Sequence, residues 1–397
     1  MRISSSVLAQ QAVDSMLSQQ VAIATTQNQI TSGQRMQTAA DDPVAWAQVM
    51  GLNDASAATA NYQANVTTVT QRLNLETSTL NSVTDLLSSV SQLAIQANSP
   101  TLNAQDRQNI ATQLTQLKQQ LLGYANTQDS GGHYIFAGSA SSVAPFSSAS
   151  AGVSYNGNQA QRTVTIGQNR SVADGDSGSS VFMSARSGNG TFAVSAAGAN
   201  AGSAALTGTN VIDSSLWDGG QYNVSFNSGN YQVTDAGNNV VASGAYAAGS
   251  AVRFRGVEVT FSGAPANGDS FGIGPSQAKD VFSTIQDLIT AVKSPQTTPA
   301  QIAQSRTSLF GAQQALSNAY DQVNTINSTV GSRLIAVNSA SVSLSQQSVD
   351  VQQAVTNLAG TDLARAASQL SLQSTVLQAT QLAFTKVQGL SLFNYIK

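Results

Sequence analysis

Two stretches of this chain repeat apolar residues every seven positions, and that repeat limits the fold more than any other feature. Val66, Leu73, Leu80, Leu87 and Ala94 form one row; Val69, Val83, Val90 and Ala97 form the row three residues on, with Glu76 as its interruption. Farther along, Ile302, Leu309, Leu316, Val323, Val330, Val337 and Leu344 keep the same spacing, accompanied by Ala312, Ala319, Ile326 and Ala340. Apolar a and d positions at this spacing make the seam of an α-helical coiled coil. The rows predict a rod of long helices whose core is Leu73, Leu80 and Leu87 with Leu309, Leu316, Val323 and Val330.

Local signals bound these helices. Asp42 before Pro43 reads as an N-cap followed by a preorganised first helical residue, and Thr298, Pro299 and Gln301 read as a capping box. The predicted helices run from Pro43 to about Ala97, roughly 80 Å, and from Pro299 to about Gln347, roughly 70 Å. A shorter one, from about Ala104 to Gln128, carries Ile110, Leu114, Leu117, Leu121 and Tyr124 on one face. The extreme ends carry thinner stripes: Val13, Met16, Ile23 and Ile30 at one, Leu363, Leu370, Leu377, Phe384 and Leu390 at the other. Flanked by Gln and Thr, each alone is a marginal helix in water. A bundle within one molecule satisfies the central rows. The terminal stripes have no sequence neighbour to cover them except one another and other copies of the chain.

The middle of the chain is different. Of the 31 glycines, 24 lie between Gly131 and Gly274, with 14 of the 23 aromatic residues between Tyr134 and Phe271. Val153 to Tyr155 and Thr163 to Ile166 flank Asn156-Gly157, and Tyr222 to Phe226 leads through Asn227, Ser228 and Gly229 to Tyr231 to Thr234. Val252 to Phe261 alternates apolar and polar residues, imperfectly around Gly256. These are strand and hairpin signals. The fold expected is α+β: a long antiparallel helical coiled-coil rod from both chain ends with an inserted β-rich outer domain. The boundaries read as 1–40 plus 351–397 for the terminal helices, 41–135 plus 276–350 for the rod, and 136–275 for the insert.

Composition narrows the chemistry. Charged residues are 9% of the 397, with one His and no Cys, against about 25% charged in an ordinary soluble domain. His133 alone cannot make a metal site, and no thiolate or disulfide chemistry is available. A formal net charge of -3 leaves no basic footprint for nucleic acid. No stretch reaches the roughly 18 apolar residues of a membrane span, and Met1 to Gln20 lacks the apolar run of a cleaved signal. Gly175-Asp176-Ser177-Gly178 resembles the surroundings of a trypsin-type nucleophile but lacks a His base in context. Asp174 and Asp176 lack the other oxygen ligands of a calcium loop, so an ordinary turn is expected there. Gly188-Asn189-Gly190 reads as a hairpin turn rather than a dinucleotide site. Asp41-Asp42 reads as capping rather than as a catalytic pair. No catalytic, cofactor or metal residue is expected, and the chain does not read as an enzyme.

The ends carry recognisable words. Ser32-Gly33-Gln34-Arg35-Met36 followed by Ala40-Asp41-Asp42-Pro43 resembles the N-terminal signature of the flagellin superfamily. Leu370-Ser371-Leu372-Gln373, Gln378-Ala379-Thr380 and Gly389-Leu390-Ser391-Leu392-Phe393-Asn394-Tyr395 resemble its C-terminal signature. Gly132-His133-Tyr134-Ile135-Phe136-Ala137-Gly138 and Gly268-Asp269-Ser270-Phe271 are similar to its junction subunits, which join hook to filament. The likeness covers the helical flanks well and the β insert poorly.

The resemblance implies a structural subunit of the bacterial flagellum. Such proteins leave the cell unfolded through the flagellar type III export apparatus, without a cleaved signal and with a cytoplasmic export chaperone on the C-terminal helix. They act extracellularly, as a ring of about eleven copies closed by one repeated contact, between the first hook-associated protein and the flagellin filament. On that basis Val13, Met16, Ile23 and Ile30 against Leu363, Leu370, Leu377, Phe384 and Leu390 are the expected assembly contacts. Arg35 and Asp42 are expected at the bend between inner tube and rod. Phe393 and Tyr395 are expected to dock the C-terminus after Gly389 breaks the helix. Filament flagellin is the alternative within the superfamily; a secreted adhesin or enzyme carried by the β insert is the alternative outside it.

Overall fold

The computed structural model describes residues 5–149 and 152–393. Three helices open the chain, α1 (Ser5–Ser32), α2 (Pro43–Ala97) and α3 (Ala104–Ala125). Two short strand pairs follow: β1 (Phe146–Ala149) with β2 (Gly152–Tyr155), and β3 (Thr163–Gly167) with β4 (Arg170–Ala173). Then come α4 (Gly178–Phe182), β5 (Ala185–Arg186), β6 (Phe192–Ala196), β7 (Ala205–Val211), β8 (Tyr222–Asn227), β9 (Asn230–Asp235) and β10 (Val240–Ala245). The strands end with β11 (Ala251–Phe254), β12 (Val257–Ser262), β13 (Ser270–Pro275) and β14 (Ala278–Lys279). Helices α5 (Val281–Lys293), α6 (Pro299–Ala359) and α7 (Leu363–Phe393) return the chain to its terminal part. The backbone divides into two compact units, a terminal one of residues 1–64 and 340–397 and a central one of residues 65–339.

In the central unit the heptad rows are the core of a helical bundle. Leu73, Leu80, Leu87, Leu309, Leu316, Val323 and Val330 are all buried, as are Ile110, Leu114 and Leu121 of α3. Asn327 of α6 donates to Asn81 Oδ1 of α2 at 2.8 Å, and Ser305 of α6 to the Ala291 carbonyl of α5 at 2.9 Å. The expected caps form: Asp42 Oδ1 accepts the Ala45 N–H at 3.0 Å, and Thr298 and Gln301 bond reciprocally, each at 3.3 Å. Three limits differ from expectation, the first being α3, which ends at Ala125 rather than near Gln128. Helix α6 runs on past Gln347 to Ala359, residues 348–359 containing no Gly or Pro, and α7 continues through Gly389 to Phe393. A lone glycine inside a helix costs only about 1 kcal/mol relative to alanine, so Gly389 does not break it. Helix α5 is short; its buried Val281, Phe282, Ile285, Leu288, Ile289 and Val292 line one face behind the Asp280 N-cap.

The insert builds a β-sandwich. One sheet has the order β10-β9-β8-β13-β6 and the other β11-β12-β7, with antiparallel pairing throughout. Between them lie Phe192, Tyr222, Phe226, Val233, Phe254, Val259, Phe261, Phe271 and Ile273. In β12 the strict alternation of buried Val257, Val259 and Phe261 with Glu258, Thr260 and Ser262 reflects a strand with one covered face. The Tyr222 to Thr234 hairpin forms around Ser228 and Gly229, both at positive φ. Gly256 is not an imperfection within one strand: with Arg255 (φ 44) it makes, at φ 75, the tight turn between β11 and β12. Two positive-φ central residues match the strand twist. Asn156-Gly157 joins no hairpin, since β2 pairs with β1 and β3 with β4. Gly188-Asn189-Gly190 turns the chain between strands of different sheets, because β5 pairs with β14 and β6 with β13.

Neutral side chains of α6 bond to the backbone of the insert. Asn318 donates to the carbonyls of Arg186 and Gly188 at 2.8 and 2.9 Å, Gln304 donates to that of Gly198 at 3.2 Å, and Thr307 Oγ1 accepts the Leu206 N–H at 3.0 Å. The low charge of the chain thus coexists with a well-bonded interior.

Candidate assembly surface on the terminal unit

Helices α1 and α7 lie side by side in the terminal unit. Thr26, buried, donates to Gln373 Oε1 at 3.0 Å, and Gln19 donates to the Gln373 carbonyl at 3.2 Å. Val13, Met16, Ile23 and Ile30 are half-buried, as are Leu370, Leu377 and Phe384; Leu363 is exposed. Leu390 and Phe393 have side chains outside the described residues, and Tyr395 lies wholly outside them.

Each helix also carries a second apolar stripe that the sequence reading did not separate. At 100° per residue, Val7, Leu17 and Val21 fall about 120° to 160° around α1 from the Met16, Ile23 and Ile30 stripe; Leu372 lies about 140° and Val376 about 100° around α7 from the Leu370, Leu377 and Phe384 stripe. Leu17 and Val21 are 55% and 66% exposed, and Leu372 is 65% exposed. A two-helix pair can bury one stripe of each member, and this pair leaves the other in water.

The two ends of the pair are tied where the chain turns. Gly33 closes α1 at φ 68, its N–H on the Gln29 carbonyl at 3.0 Å, an αL ending that glycine adopts at least cost. The following residues then bond to those after α6: Arg35 N–H to the Ala359 carbonyl at 2.7 Å and Thr361 N–H to the Gly33 carbonyl at 3.0 Å. A Cβ on Gly360 would stand 2.4 Å from the Thr356 carbonyl oxygen, so no side chain fits there. Arg35 spans the turn, donating to the Leu358 carbonyl at 3.1 Å and to Asp42 Oδ2 at 3.2 Å. Beneath it Met36 is buried. Asp41 accepts the Thr38 and then the Gln37 N–H, which hold its carboxyl below the usual range; the Ala45 N–H, then Arg35, do the same for Asp42. The Asp pair therefore organises a joint through hydrogen bonds, with no shared-proton geometry.

Comparison with known proteins places this architecture. Residues 3–141 match the bacterial flagellin N-terminal helical region and 313–396 the C-terminal helical region, while 195–275 match the D2-like domain of flagellar hook-associated protein 1. Flagellar hook-associated protein 3 of Salmonella typhimurium is 32% identical over 184 residues, 46% of this chain and 57% of that protein's length. The crystal structure of Xanthomonas campestris FlgL is 34% identical, with a TM-score of 0.74 over 77% of this chain and 99% of that one. This chain belongs to the FlgL family of the flagellin superfamily. A second FlgL structure, described as the flagellar junction protein of Legionella pneumophila, is 30% identical, with a TM-score of 0.72 over 79% of this chain and 100% of that one.

The FlgL-like words in the middle of the chain have structural roles. Phe136 of the Gly132 to Gly138 stretch is fully buried, edge-on to Phe182 at 5.3 Å, within a cluster that includes Phe146 and Phe282. Asp269 is buried with its carboxylate accepting the N–H groups of Ala201, Gly202 and Ala266 at 2.8 to 3.0 Å, which fixes the turns at one end of the sandwich. One group was missed altogether. Asp174 and Asp176, expected in an ordinary turn, are buried against arginines from α2 and α6; the charged Glu76 inside an apolar row was the available signal.

Proposed function

We propose that this FlgL-family chain is a structural subunit of the flagellum at the junction of hook and filament, polymerising through α1 and α7. The observation that carries this reading is the second apolar stripe on each helix of the terminal pair, left exposed by the monomer. Copies of the chain that place Leu17, Val21, Leu372 and Val376 against one another remove that surface from water, at roughly 25 cal/mol per Å². The inner stripes, Val13, Met16, Ile23 and Ile30 with Leu370, Leu377 and Phe384, keep the pair together, while Arg35 and Asp42 set the angle of the joint beside it.

Sparse charge suits the role, because burying an ion between subunits is costly. The absence of Cys from the sequence suits a chain that crosses a narrow type III export channel unfolded, with a chaperone on its last helix. The closed ring, of about eleven copies if its rotation follows the superfamily pattern, would contact the first hook-associated protein on one side and flagellin on the other. The role requires no reaction step. It is tested by deleting the coding sequence and counting filaments: hooks should form without attached filaments, and complementation should restore them. Filaments attached at normal frequency in the deletion strain would refute the junction role, and abundance of the protein in sheared filaments would favour filament flagellin.

A further inference from the structure

Glu76 interrupts an otherwise apolar row and is fully buried. Around it the central unit gathers three guanidinium groups and three other carboxylates. Arg72, one turn earlier on α2, donates to Asp129 Oδ2 at 2.8 Å and to the Tyr134 carbonyl at 3.3 Å, and its Nε lies 3.7 Å from Asp174. Asp174 is also held by Arg162, whose Nε is at 2.7 Å. Asp176 receives both Nη groups of Arg333 from α6, at 2.8 and 2.9 Å, and the Gln161 amide at 2.8 Å. Three cations thus match three anions, and the Glu76 carboxyl is left over. Its Oε1 accepts the Asp176 N–H at 3.0 Å, while Oε2 is buried without a partner.

A fourth negative charge here would lie beside Asp176 with no cation of its own. We propose that Glu76 is a proton-operated latch: carrying its proton, it lets the Asp174 to Asp176 segment seat between α2 and α6; losing it, it drives that segment off. Desolvation, and after it the charge of Asp176, push the Glu76 carboxyl from 4.5 up to about 8, against the weaker pull of the Asp176 N–H, Arg333 and Arg72. In an opened or unfolded chain the carboxyl returns to its ordinary value, so opening releases one proton between those limits. The stability the proton contributes is whole below about 4.5, declines as pH rises, and is gone above about 8. The other groups facing the site are Asp129 and Tyr134 after α3, Gln161 and Arg162 before β3, and Arg333. His133 is exposed and touches the cluster through its backbone alone: its N–H donates to Asp129 Oδ1 at 3.0 Å and its carbonyl accepts the Asp129 N–H at 2.8 Å.

Hydrogen exchange at the Asp176 amide of the full chain reads the latch. Corrected for intrinsic exchange, the opening constant should rise with pH between about 5 and 8, by up to about tenfold per unit for one released proton. Glu76→Gln, permanently neutral, should remove that slope, and His133→Gln should keep it. A slope that persists in Glu76→Gln, or vanishes in His133→Gln, would overturn the proposal. Should Glu76→Gln not fold, carbon NMR titration of the Glu76 carboxyl in the unmodified protein decides: a midpoint near 8 supports the latch, and one near 4.5 refutes it.

Discussion

The heptad rows of the central unit and the stripes of α1 and α7 use the same kind of pattern for different ends. In the central unit, Leu73, Leu80, Leu309 and Val323 are fully covered by the molecule itself. In the terminal pair, Met16, Ile23, Leu370 and Leu377 reach only half-burial, and a second stripe stands exposed behind them. Apolar periodicity therefore identifies a helix face that needs covering without saying which molecule covers it. The number of neighbours within the chain supplies that answer: the central rows have α3, α5 and the sandwich at hand, whereas α1 has α7.

Substitutions can break this contrast from either side. Leu80→Ala removes a fully covered side chain and should cost the central unit about 2 to 5 kcal/mol, read as a lower midpoint in chemical denaturation. A loss below 1 kcal/mol would mean that the row is less tightly covered than described. Leu377→Asp places a carboxylate on the face α7 shows to α1. It should weaken the terminal pair by about 1 to 3 kcal/mol, with faster amide exchange confined to α1 and α7, helical circular dichroism of the central unit retained, and assembly abolished. Leu372→Asp lies on the exposed stripe and should change monomer stability by no more than about 0.5 kcal/mol. It should nonetheless prevent incorporation into flagella, scored by motility and by label at the hook end. Normal motility in Leu372→Asp would remove the outward stripe from the assembly surface.

The helices were the most legible part of the sequence, because Pro43, Thr298 and the long rows act within a few residues of one another. The hairpin at Ser228 and Gly229 was legible for the same local reason. The Arg255 and Gly256 turn is hard to see in the sequence, since one strand with a glycine and two strands joined by a tight turn give nearly the same alternation. Helix α5 is less legible because 13 residues hold fewer than two heptads, so the spacing of Val281 to Leu288 and of Ile285 to Val292 never extends into a row. The second stripes on α1 and α7 needed the first to be assigned before the remainder could be seen as a face. The ionic cluster around Glu76 was out of reach in kind: its members come from positions as distant as Arg72 and Arg333, and only the tertiary fold brings them together.

Thr26 and Gln373 bond across a separation of 347 residues, and this has a consequence for timing. A chain that emerges progressively from either end presents α1 and α7 at opposite extremes of the process, whatever the direction. Closing so long a loop adds only slowly to the entropic cost, but it cannot happen before both extremes are free. A chain cut short before α7 still has every residue of the central unit, yet shows α1 without its partner. The terminal pair thus forms only once both α1 and α7 are free, and its formation reports that the chain between them is present.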